Sequence, residues 1–307
     1  MGKFTIKRIL TGLITVWFIW SIVFVLVRIS GDPIEWMLPD GSTEEMEQQL
    51  RVSLGLDLPL HQQYIKSFTN LFTGDMGVSY HYKRPVSELF SERLGATYMI
   101  GLPSYVLSVF LGISLGVLAA RYRNSALDRI VMTGATAFYT IPSFAFGILL
   151  VLVFSLWLRI LPSGNTGTWK HMVMPIIAMT VGPTSSIARL TRNSMLDTLQ
   201  KEYLDGARMK GVKESIVVYK HALRNSLISV VTSVGMQLGS IIGGSVVVET
   251  VFGWPGIGSL LVSAANTRDF PIVQYGVLII SVFVTAANVL VDISYGWLDP
   301  KIRESFK

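Results

Sequence analysis

Six apolar stretches, each close to the length that crosses a lipid bilayer, constrain this chain more than any other feature of its sequence. A transmembrane helix needs about 20 mostly apolar residues to cross roughly 30 Å of hydrocarbon. Stretches near that length occupy residues 9–29, 98–120, 130–159, 172–190, 228–249 and 272–297. We therefore predict an all-α membrane protein with six transmembrane helices. The fourth stretch is the weakest because it contains Pro175, Gly182 and Pro183, and a helix broken there needs neighbouring helices to satisfy its backbone.

The composition agrees with a bilayer as the surrounding solvent. Half of the 307 residues are hydrophobic and 15% are charged, which is far from the average soluble domain. Cysteine is absent, so disulfides, thiolate metal sites and thiol catalysis are excluded. The first apolar stretch is longer than the 7–15 residues of a signal-peptide core, and no clear cleavage site follows it. We interpret it as a membrane span.

The basic residues predict the orientation of the spans. An even number of spans places both termini on one side, and that side would hold 17 of the 26 Lys and Arg residues. The segment from about 30 to 97 lies on the other side, with five basic and ten acidic residues. By the positive-inside rule we expect both termini and the loop at 189–227 in the cytoplasm. The net charge of +6 is then an orientation signal, and no nucleic-acid partner is expected.

The basic loop between the fourth and fifth spans has no role in crossing a bilayer. Its first half is predicted to be an amphipathic helix because apolar residues recur at helical spacing. These residues are Leu196, Leu199, Tyr203 and Ala207. Gly211 weakens a helix interior and separates this helix from a second run that begins at Glu214. Two short helices joined at a glycine would form a protrusion suited to a groove on another protein.

The same loop carries a family resemblance. Asp205-Gly206-Ala207-Arg208-Met209-Lys210-Gly211, followed after nine residues by His221-Ala222-Leu223-Arg224, resembles the Glu-Ala-Ala loop of ATP-binding-cassette importer permeases. Asp205 and Gly206 replace the first two residues of the general pattern, and Arg224 stands where that pattern has proline. The Lys-His-Ala-Leu-Arg-Asn ending is similar to the dipeptide, oligopeptide and nickel branch of the family, and to its B-type permease subunit.

Further segments resemble that branch in order and spacing, so the resemblance covers nearly the whole chain. They begin at Gly74, Pro85, Ile141, Val248, Arg268 and Leu298. The resemblance implies the type I importer permease fold, with six membrane helices and a coupling helix in the cytoplasmic loop. It implies a first transmembrane helix plus external segment at 1–94, a permease core of five transmembrane helices at 95–300 with the coupling loop at 189–227, and a cytoplasmic tail at 301–307.

The function implied by the resemblance is one half of the pathway of an ATP-driven, binding-protein-dependent importer in the inner membrane of a bacterium. The implied solutes are di- or oligopeptides or similar small molecules, and a nickel or metal-chelate importer of the same branch stays open. The implied partners are a homologous second permease in a heterodimer, two ATP-binding-cassette ATPases, an extracytoplasmic solute-binding protein and membrane lipid. The external segment and a short helix at about 256–266 would face the binding protein.

The chain itself lacks the motif for ATP hydrolysis. A phosphate-binding loop usually reads Gly-x-x-x-x-Gly-Lys-Ser/Thr, and the sequence contains none. The four histidines are scattered without metal-ligand spacing, and no serine sits in a Gly-x-Ser-x-Gly turn with identifiable partners. We therefore expect no enzyme activity, no cofactor and no metal on this chain, with ATP and Mg²⁺ bound by the partner ATPases.

By the resemblance, the loop forms a coupling helix that docks on an ATPase subunit. The residues expected in this contact are Asp205, Ala207 and Gly211 at its centre and Gly206, Lys210 and Leu223 beside them. A small residue at 207 allows close approach, Gly211 permits a bend, and Asp205 could cap the helix or pair with a basic group of the partner. The open alternative is a surface helix that its lysines attract to anionic lipid.

Two acidic residues in the spans are candidate pathway or gate residues, because a charge in a bilayer is costly unless it is paired or faces water. Glu249 ends the fifth span and precedes an outer turn, where structural capping is the alternative. Asp292 lies late in the sixth span, close to the basic tail.

An ion-coupled secondary carrier is the rival class; it predicts inverted repeats and midplane charges, and the sequence has no convincing repeat and few such charges. A membrane-embedded enzyme is a second rival and would need a catalytic constellation.

Overall fold

The structure is a computed structural model that describes residues 2–38 and 42–298, so the predicted tail at 301–307 lies outside the described residues. The described chain folds into α-helices, with one isolated bridge between Val78 and Pro85. The helices are α1 (Gly2–Ile29), α2 (Ile34–Met37), α3 (Glu44–Leu54), α4 (Leu60–Thr73), α5 (Val86–Arg121), α6 (Ala126–Thr140), α7 (Ser143–Leu150, continued as a π-helix over Val151–Trp157), α8 (Lys170–Leu199), α9 (Glu202–Met209), α10 (Glu214–Ile216, continued as a π-helix over Val217–Ala222), α11 (Leu223–Leu238), α12 (Ser240–Val251), α13 (Ile257–Asn266) and α14 (Phe270–Leu298).

The helices account for six membrane spans. Four are single helices long and apolar enough to cross: Thr5–Ile29 of α1, α5, α8 and Phe270–Ile293 of α14. The other two are bent pairs, Ala126–Thr140 with Ser143–Trp157 at 101° and Glu214–Leu238 with Gly243–Val251 at 60°. The six-span prediction is confirmed with each bent pair counted as one span. The predicted short helix at about 256–266 is α13.

The breaks fall in other spans than the one that the sequence marked as weakest. Helix α8 is continuous through Pro175 and Pro183. The third span instead breaks at Ile141, which is extended at φ −78° and ψ 120°. A residue before a proline is disfavoured in the helical region, so Pro142 ends α6 at this point. The fifth span bends near Gly239, between α11 and α12.

Helices α5 and α8 form the centre of the bundle because two glycines let their backbones approach. A Cβ at Gly112 would lie 2.6 Å from the Cβ of Ile187, and one at Gly116 would lie 2.6 Å from the backbone oxygen of Ala188. Small residues four apart are typical of helix pairs in membranes. This contact fixes α8, and the side chains that it carries, relative to α5.

The first and last described helices reach the same end of the bundle as the loop between α8 and α11. Helix α14 begins beside the start of α5, where Ile272 packs with Val86, so its late residue Asp292 lies towards the opposite end. There Asp292 pairs with Arg8 of α1 at 3.3 Å. Arg121, the last residue of α5, donates a 2.9 Å hydrogen bond to Tyr219 of the loop region. We call this end the loop end and the other the far end.

The far end carries the segment before α5. Helix α4 packs on α1, with the rings of Tyr64 and Phe68 centred 4.9 and 5.4 Å from that of Trp20. The expected boundary between residues 94 and 95 lies inside α5, because this helix begins at Val86 and runs on without interruption. The two predicted regions on either side of this boundary therefore share one helix.

Candidate functional site: the loop end and the polar face of α8

The loop predicted to couple to an ATPase contains α9. The single amphipathic helix expected through Leu196 and Ala207 is two helices, because the chain leaves α8 after Leu199 and Lys201 is extended at φ −80° and ψ 137° before α9 begins. Lys201 occupies the N-cap position of α9. Asp205 lies inside the helix, so the capping role considered for its side chain is not what the structure shows.

Leu204 anchors α9 to the bundle. Its side chain is fully buried in an apolar cluster. The cluster also contains Val117 and Ala120 of α5, Met195 of α8, and Val217, Val218 and Ala222 before α11. The cluster therefore joins α9 to the ends of α5 and α8 and to the segment that leads into α11. Ala207 and Leu223 are half-buried against this cluster, so they support α9 from the inside.

Gly211 ends α9 in a Schellman turn. Its φ is +77°, a left-handed conformation that favours glycine. The amide of Gly211 donates to the oxygen of Arg208 at 2.9 Å and that of Val212 to the oxygen of Ala207 at 3.2 Å, which is the bonding pattern of this motif. Val212 and Ala207 both pack on the apolar cluster. The bend predicted at Gly211 is therefore present.

Arg208 ties the two sides of the turn together. Its guanidinium donates to Glu214 at 3.1 Å and to Asp205 at 2.8 Å. The hydrogen bond that Arg208 donates to Glu214, and then the one it donates to Asp205, raise the pKa of Arg208 above its usual value. Asp205 therefore has a basic partner within its own loop. Sequence reasoning did not single out Arg208 or Glu214, although opposite charges flanking a glycine turn were visible in the loop.

The exposed side of α9 has a glycine at its centre and a large apolar side chain at its end. A Cβ at Gly206 would meet no atom within 4 Å, which leaves a shallow notch on the helix. Met209 is 85% exposed, and Lys210 and Asp205 are exposed beside it. Of the six predicted coupling residues, the structure places Asp205, Gly206, Lys210 and Gly211 at or near the surface. Ala207 and Leu223 face the cluster.

A central cavity of about 180 Å³ lies where both bent spans change direction. Its polar lining consists of Ser104, Tyr105 and Ser108 of α5, Ser143 at the start of α7 and Gln237 near the end of α11. Met179 and Pro183 of α8 also line this cavity. Pro183 lies roughly 20 Å from the start of α8, at a rise of 1.5 Å per residue. A broken helix at membrane depth is tolerated where it is buried in protein or lines a cavity. The breaks near Ile141 and Gly239 both lie beside this cavity, so the bundle can tolerate them.

A second cavity of about 590 Å³ follows towards the loop end. We call it the arginine cavity, since Arg189 and Arg192 line it together with Met132, Ser186, Asn193 and Ser233. The two cavities share one face of α8, on which Met179, Pro183, Ser186, Leu190 and Asn193 recur at steps of four and three residues. They share one face of α11 as well, through Ser233 and Gln237. We call this row, together with Arg189 and Arg192 beside it, the polar face.

Arg192 is held by an ion pair with α6. Its guanidinium donates two hydrogen bonds to Asp128, at 2.7 and 2.8 Å. Asp128 is almost fully buried and also accepts from the amide of Asn124 at 3.0 Å. This two-pronged geometry is the strong form of a carboxylate–guanidinium contact, so it fixes the start of α6 against α8.

Comparison with known proteins decides the family. A family model described as the inner membrane component of binding-protein-dependent transport systems matches residues 112–304, and the model of its N-terminal part matches residues 1–101. The chain belongs to this family. Its fold is that of the type I importer permeases, and it is a transport subunit, not an enzyme. The family implies partner ATPases and a solute-binding protein.

Related permeases align with this one over their full length. The glutathione transport system permease protein GsiC of Pectobacterium atrosepticum is 40% identical over 304 residues, which are 99% of each chain. Those of Escherichia coli K12 and Salmonella typhimurium are 39% identical over 305 residues and 38% over 304, again with 99% of each chain covered. The resemblance seen in the motifs is therefore confirmed along the whole permease.

Glu249, one of the two candidate gate residues, is fully buried at the far end of the permease. Its Oε1 accepts hydrogen bonds from Thr97 at 2.7 Å and Ser245 at 2.8 Å, and its Oε2 accepts one from the amide of Ser259 at 3.1 Å. Thr97 in turn accepts from the amide of Ile257 at 2.9 Å. This Glu249 cluster joins α5, α12 and α13, and the geometry indicates the capping role for Glu249.

Asp292, the other candidate, lies at the α1–α14 contact through its ion pair with Arg8. Neither candidate lines the two cavities of the polar face. Within residues 2–38 and 42–298, the permease has no group of three or more His, Cys, Asp or Glu side chains that could hold a metal ion. Arg189 was not among the predicted pathway residues, because it lies where the predicted span at 172–190 and the predicted loop at 189–227 overlap, and its charge was counted with those of the loop.

Proposed function

We propose that this permease forms half of the translocation pathway for di- or oligopeptides or similar small solutes, with glutathione as the first solute to test. The polar face of α8 with its two cavities carries the proposal. Hydroxyl, amide and guanidinium groups in a membrane bundle lie towards its interior or a water-filled space. They can also hydrogen-bond the amides and carboxylates of a peptide. The relatives named for glutathione transport support this class of solute.

The polar face needs a second wall, which a homologous permease would supply in a heterodimer. Two ATP-binding-cassette ATPases would hold ATP and Mg²⁺ below the loop end, and the binding protein would deliver solute at the far end. This arrangement puts the loop end and both termini in the cytoplasm. The excess of Lys and Arg at that end supports the orientation.

Coupling to the ATPases runs through α9 in this proposal. Asp205, Gly206, Ala207, Lys210, Gly211 and Leu223 act at this contact. Asp205, Gly206, Lys210 and Gly211 lie at the surface that would meet the ATPase. Ala207 and Leu223 support this surface from the inside. Because Leu204 fixes α9 to the ends of α5, α8 and α11, closure of the ATPases would move these spans as one body. Such differential contacts are what shift a two-state equilibrium.

Reconstitution tests the function. The permease would be purified with its partners, placed in proteoliposomes with ATP inside, and supplied outside with binding protein and labelled glutathione, tri-alanine or Ni²⁺. We expect ATP-dependent uptake of a peptide. Uptake of Ni²⁺ alone would establish the metal alternative of the same branch. Uptake by the isolated chain under an ion gradient, with no ATPase present, would contradict the proposal and favour a secondary carrier.

Gly206→Ala tests the coupling surface. The new methyl group meets nothing within the permease, and alanine in a helix interior is more stable than glycine by roughly 0.5–1 kcal/mol. We expect an unchanged or higher thermal midpoint but weaker co-purification of the ATPases, since the methyl fills the notch. Gly95→Ala is the matched control, because it also lies in a helix with no atom within 4 Å but at the far end. Equal ATPase recovery in both variants would remove Gly206 from the contact.

A further inference from the structure

We propose that Arg189 is the residue of the polar face that binds the carboxylate of the solute during its passage. The inference rests on the proposed peptide transport and adds to it a recognised group and a recognising side chain. Arg189 lies ten residues before the end of α8, about 15 Å along the helix axis. It therefore lies within α8, at the position where the predicted fourth span at 172–190 and the predicted loop at 189–227 overlap.

The guanidinium of Arg189 points away from the nearer end of the bundle. Its central carbon lies 4.5 Å from the centre of the Tyr139 ring, and Tyr139 is eleven residues along α6 from Asp128, about 16 Å away along the axis. Helices α6 and α8 run antiparallel, since Asp128 bonds to Arg192 at the loop end. Side chains lean towards the N-terminus of their own helix, so Tyr139 and Arg189 lean towards each other. The Arg189 side chain therefore extends along the bundle and not towards the loop end.

The partners of Arg189 differ from those of Arg192, one helical turn away on the same cavity. Arg192 has Asp128 as a bidentate partner. For Arg189 no carboxylate lies within ion-pair distance among the residues that the structure describes. The Tyr139 ring attracts the cation through its face and leaves the donors at the edge of the guanidinium available. A carboxylate accepts two of these donors in parallel.

The surroundings of Arg189 fit a peptide. Ser186 and Asn193 flank it on the same cavity, one turn to either side, and Ser233 faces them from α11. A hydroxyl or side-chain amide can bond a peptide group of the solute. The cavity volume of about 590 Å³ falls in the range of roughly 300–1,000 Å³ typical of small-molecule sites. A free carboxylate on Arg189 and amides on these neighbours would fix the direction in which the solute leaves the pathway.

The test compares a free acid with its amide. Proteoliposomes of the whole complex would receive saturating binding protein loaded with labelled tri-alanine or with its C-terminal amide, which has no carboxylate. We expect Arg189→Gln to lower uptake of the free acid about tenfold, the effect of losing a hydrogen bond between charged groups, and to leave uptake of the amide unchanged. Arg189→Lys, which keeps the charge but not the fork, should fall between the two. ATP hydrolysis stimulated by loaded binding protein should persist in all variants.

Arg192→Gln is the matched control, because it removes the same charge from the same cavity where Asp128 already holds it. We expect a lower thermal midpoint and an unchanged ratio of acid to amide uptake. Uptake of the acid within twofold of wild type in Arg189→Gln, or an equal fall for acid and amide, would overturn the inference and leave a lipid phosphate as the partner of Arg189. Loss of the second permease on purification would also overturn it and indicate a carboxylate of that subunit. If the wild-type complex takes up neither glutathione nor tri-alanine, the proposed function fails as well.

Discussion

The hydrogen-bond partners of two ionisable side chains inside the bundle differ sharply. These side chains are Glu249 at the far end and Arg189 in the arginine cavity. Glu249 is fully buried, and both of its oxygens accept hydrogen bonds. Arg189 is half-buried and contacts the face of a ring. A buried polar group is costly unless its hydrogen bonds are made. The comparison teaches that the acceptors of Glu249 are used within the permease, whereas the donors at the edge of the Arg189 guanidinium are available for the proposed contact with the solute.

Glu249→Ala should have the largest effect on stability. It leaves the hydroxyl of Thr97 and the amide of Ser259 without their acceptor, and each unsatisfied buried group costs roughly 1–3 kcal/mol. We expect a loss of about 2 kcal/mol or more, seen as a lower thermal midpoint in detergent by size-exclusion chromatography after heating. Glu249→Gln should lose less, because its amide oxygen still accepts. An unchanged midpoint in Glu249→Ala would break the comparison, since the carboxylate would then be available for a role in transport.

Gly256→Ala should disturb the same cluster by crowding alone. A Cβ there would lie 2.3 Å from the carboxyl carbon of Glu249, while the φ of −96° at Gly256 suits any residue. Overpacking of this kind costs about 1–3 kcal/mol. The thermal midpoint should fall, and that of Gly95→Ala should not. Equal midpoints would mean that the cluster can shift to accept a methyl group.

Removal of the two arginines of the arginine cavity should separate support from recognition. We expect Arg192→Gln to lose about 1–2 kcal/mol, because it breaks two charge-assisted hydrogen bonds and leaves Asp128 buried without its guanidinium. We expect Arg189→Gln to lose less than about 0.5 kcal/mol. The measurement is the thermal midpoint of both variants in one detergent. A larger loss in Arg189→Gln would show that Arg189 supports the fold, against the comparison.

Arg84→Gln should have the smallest effect and sets the baseline for surface charges at the far end. Arg84 pairs with Glu88 at 3.3 Å and Glu92 at 2.6 Å, and the bond to Glu92 raises the pKa of Arg84 above its usual value. All three side chains are exposed, and exposed ion pairs contribute little. We expect no measurable change in thermal midpoint at low or high salt. A clear fall would mean that the far end is stabilised from its surface as well as from the Glu249 cluster.

The sequence predicted the elements better than it predicted where they break. Apolar length alone located six spans, and the loop motif located the turn at Gly211. The prolines gave the wrong position for the broken span, since Pro175 and Pro183 lie within a continuous α8 while Pro142 ends α6. A proline in a membrane helix is tolerated when neighbours satisfy the freed carbonyl groups, and α8 is surrounded by other helices. The presence of a proline in the sequence does not indicate whether its helix has such neighbours.

What the sequence by itself determined is the solvent, the number of spans and the family, because apolar length and a loop motif are local properties of the chain. Only the tertiary structure decided the roles of its charges. Both oxygens of Glu249 accept hydrogen bonds because Thr97, from a distant part of the chain, meets it beside Ser245 and Ser259. Arg189, at the expected boundary of span and loop, lines a cavity of the bundle because α8 continues to Leu199 and packs on α5 and α6. Burial and hydrogen-bond partners are set by contacts between distant segments, which no local pattern contains.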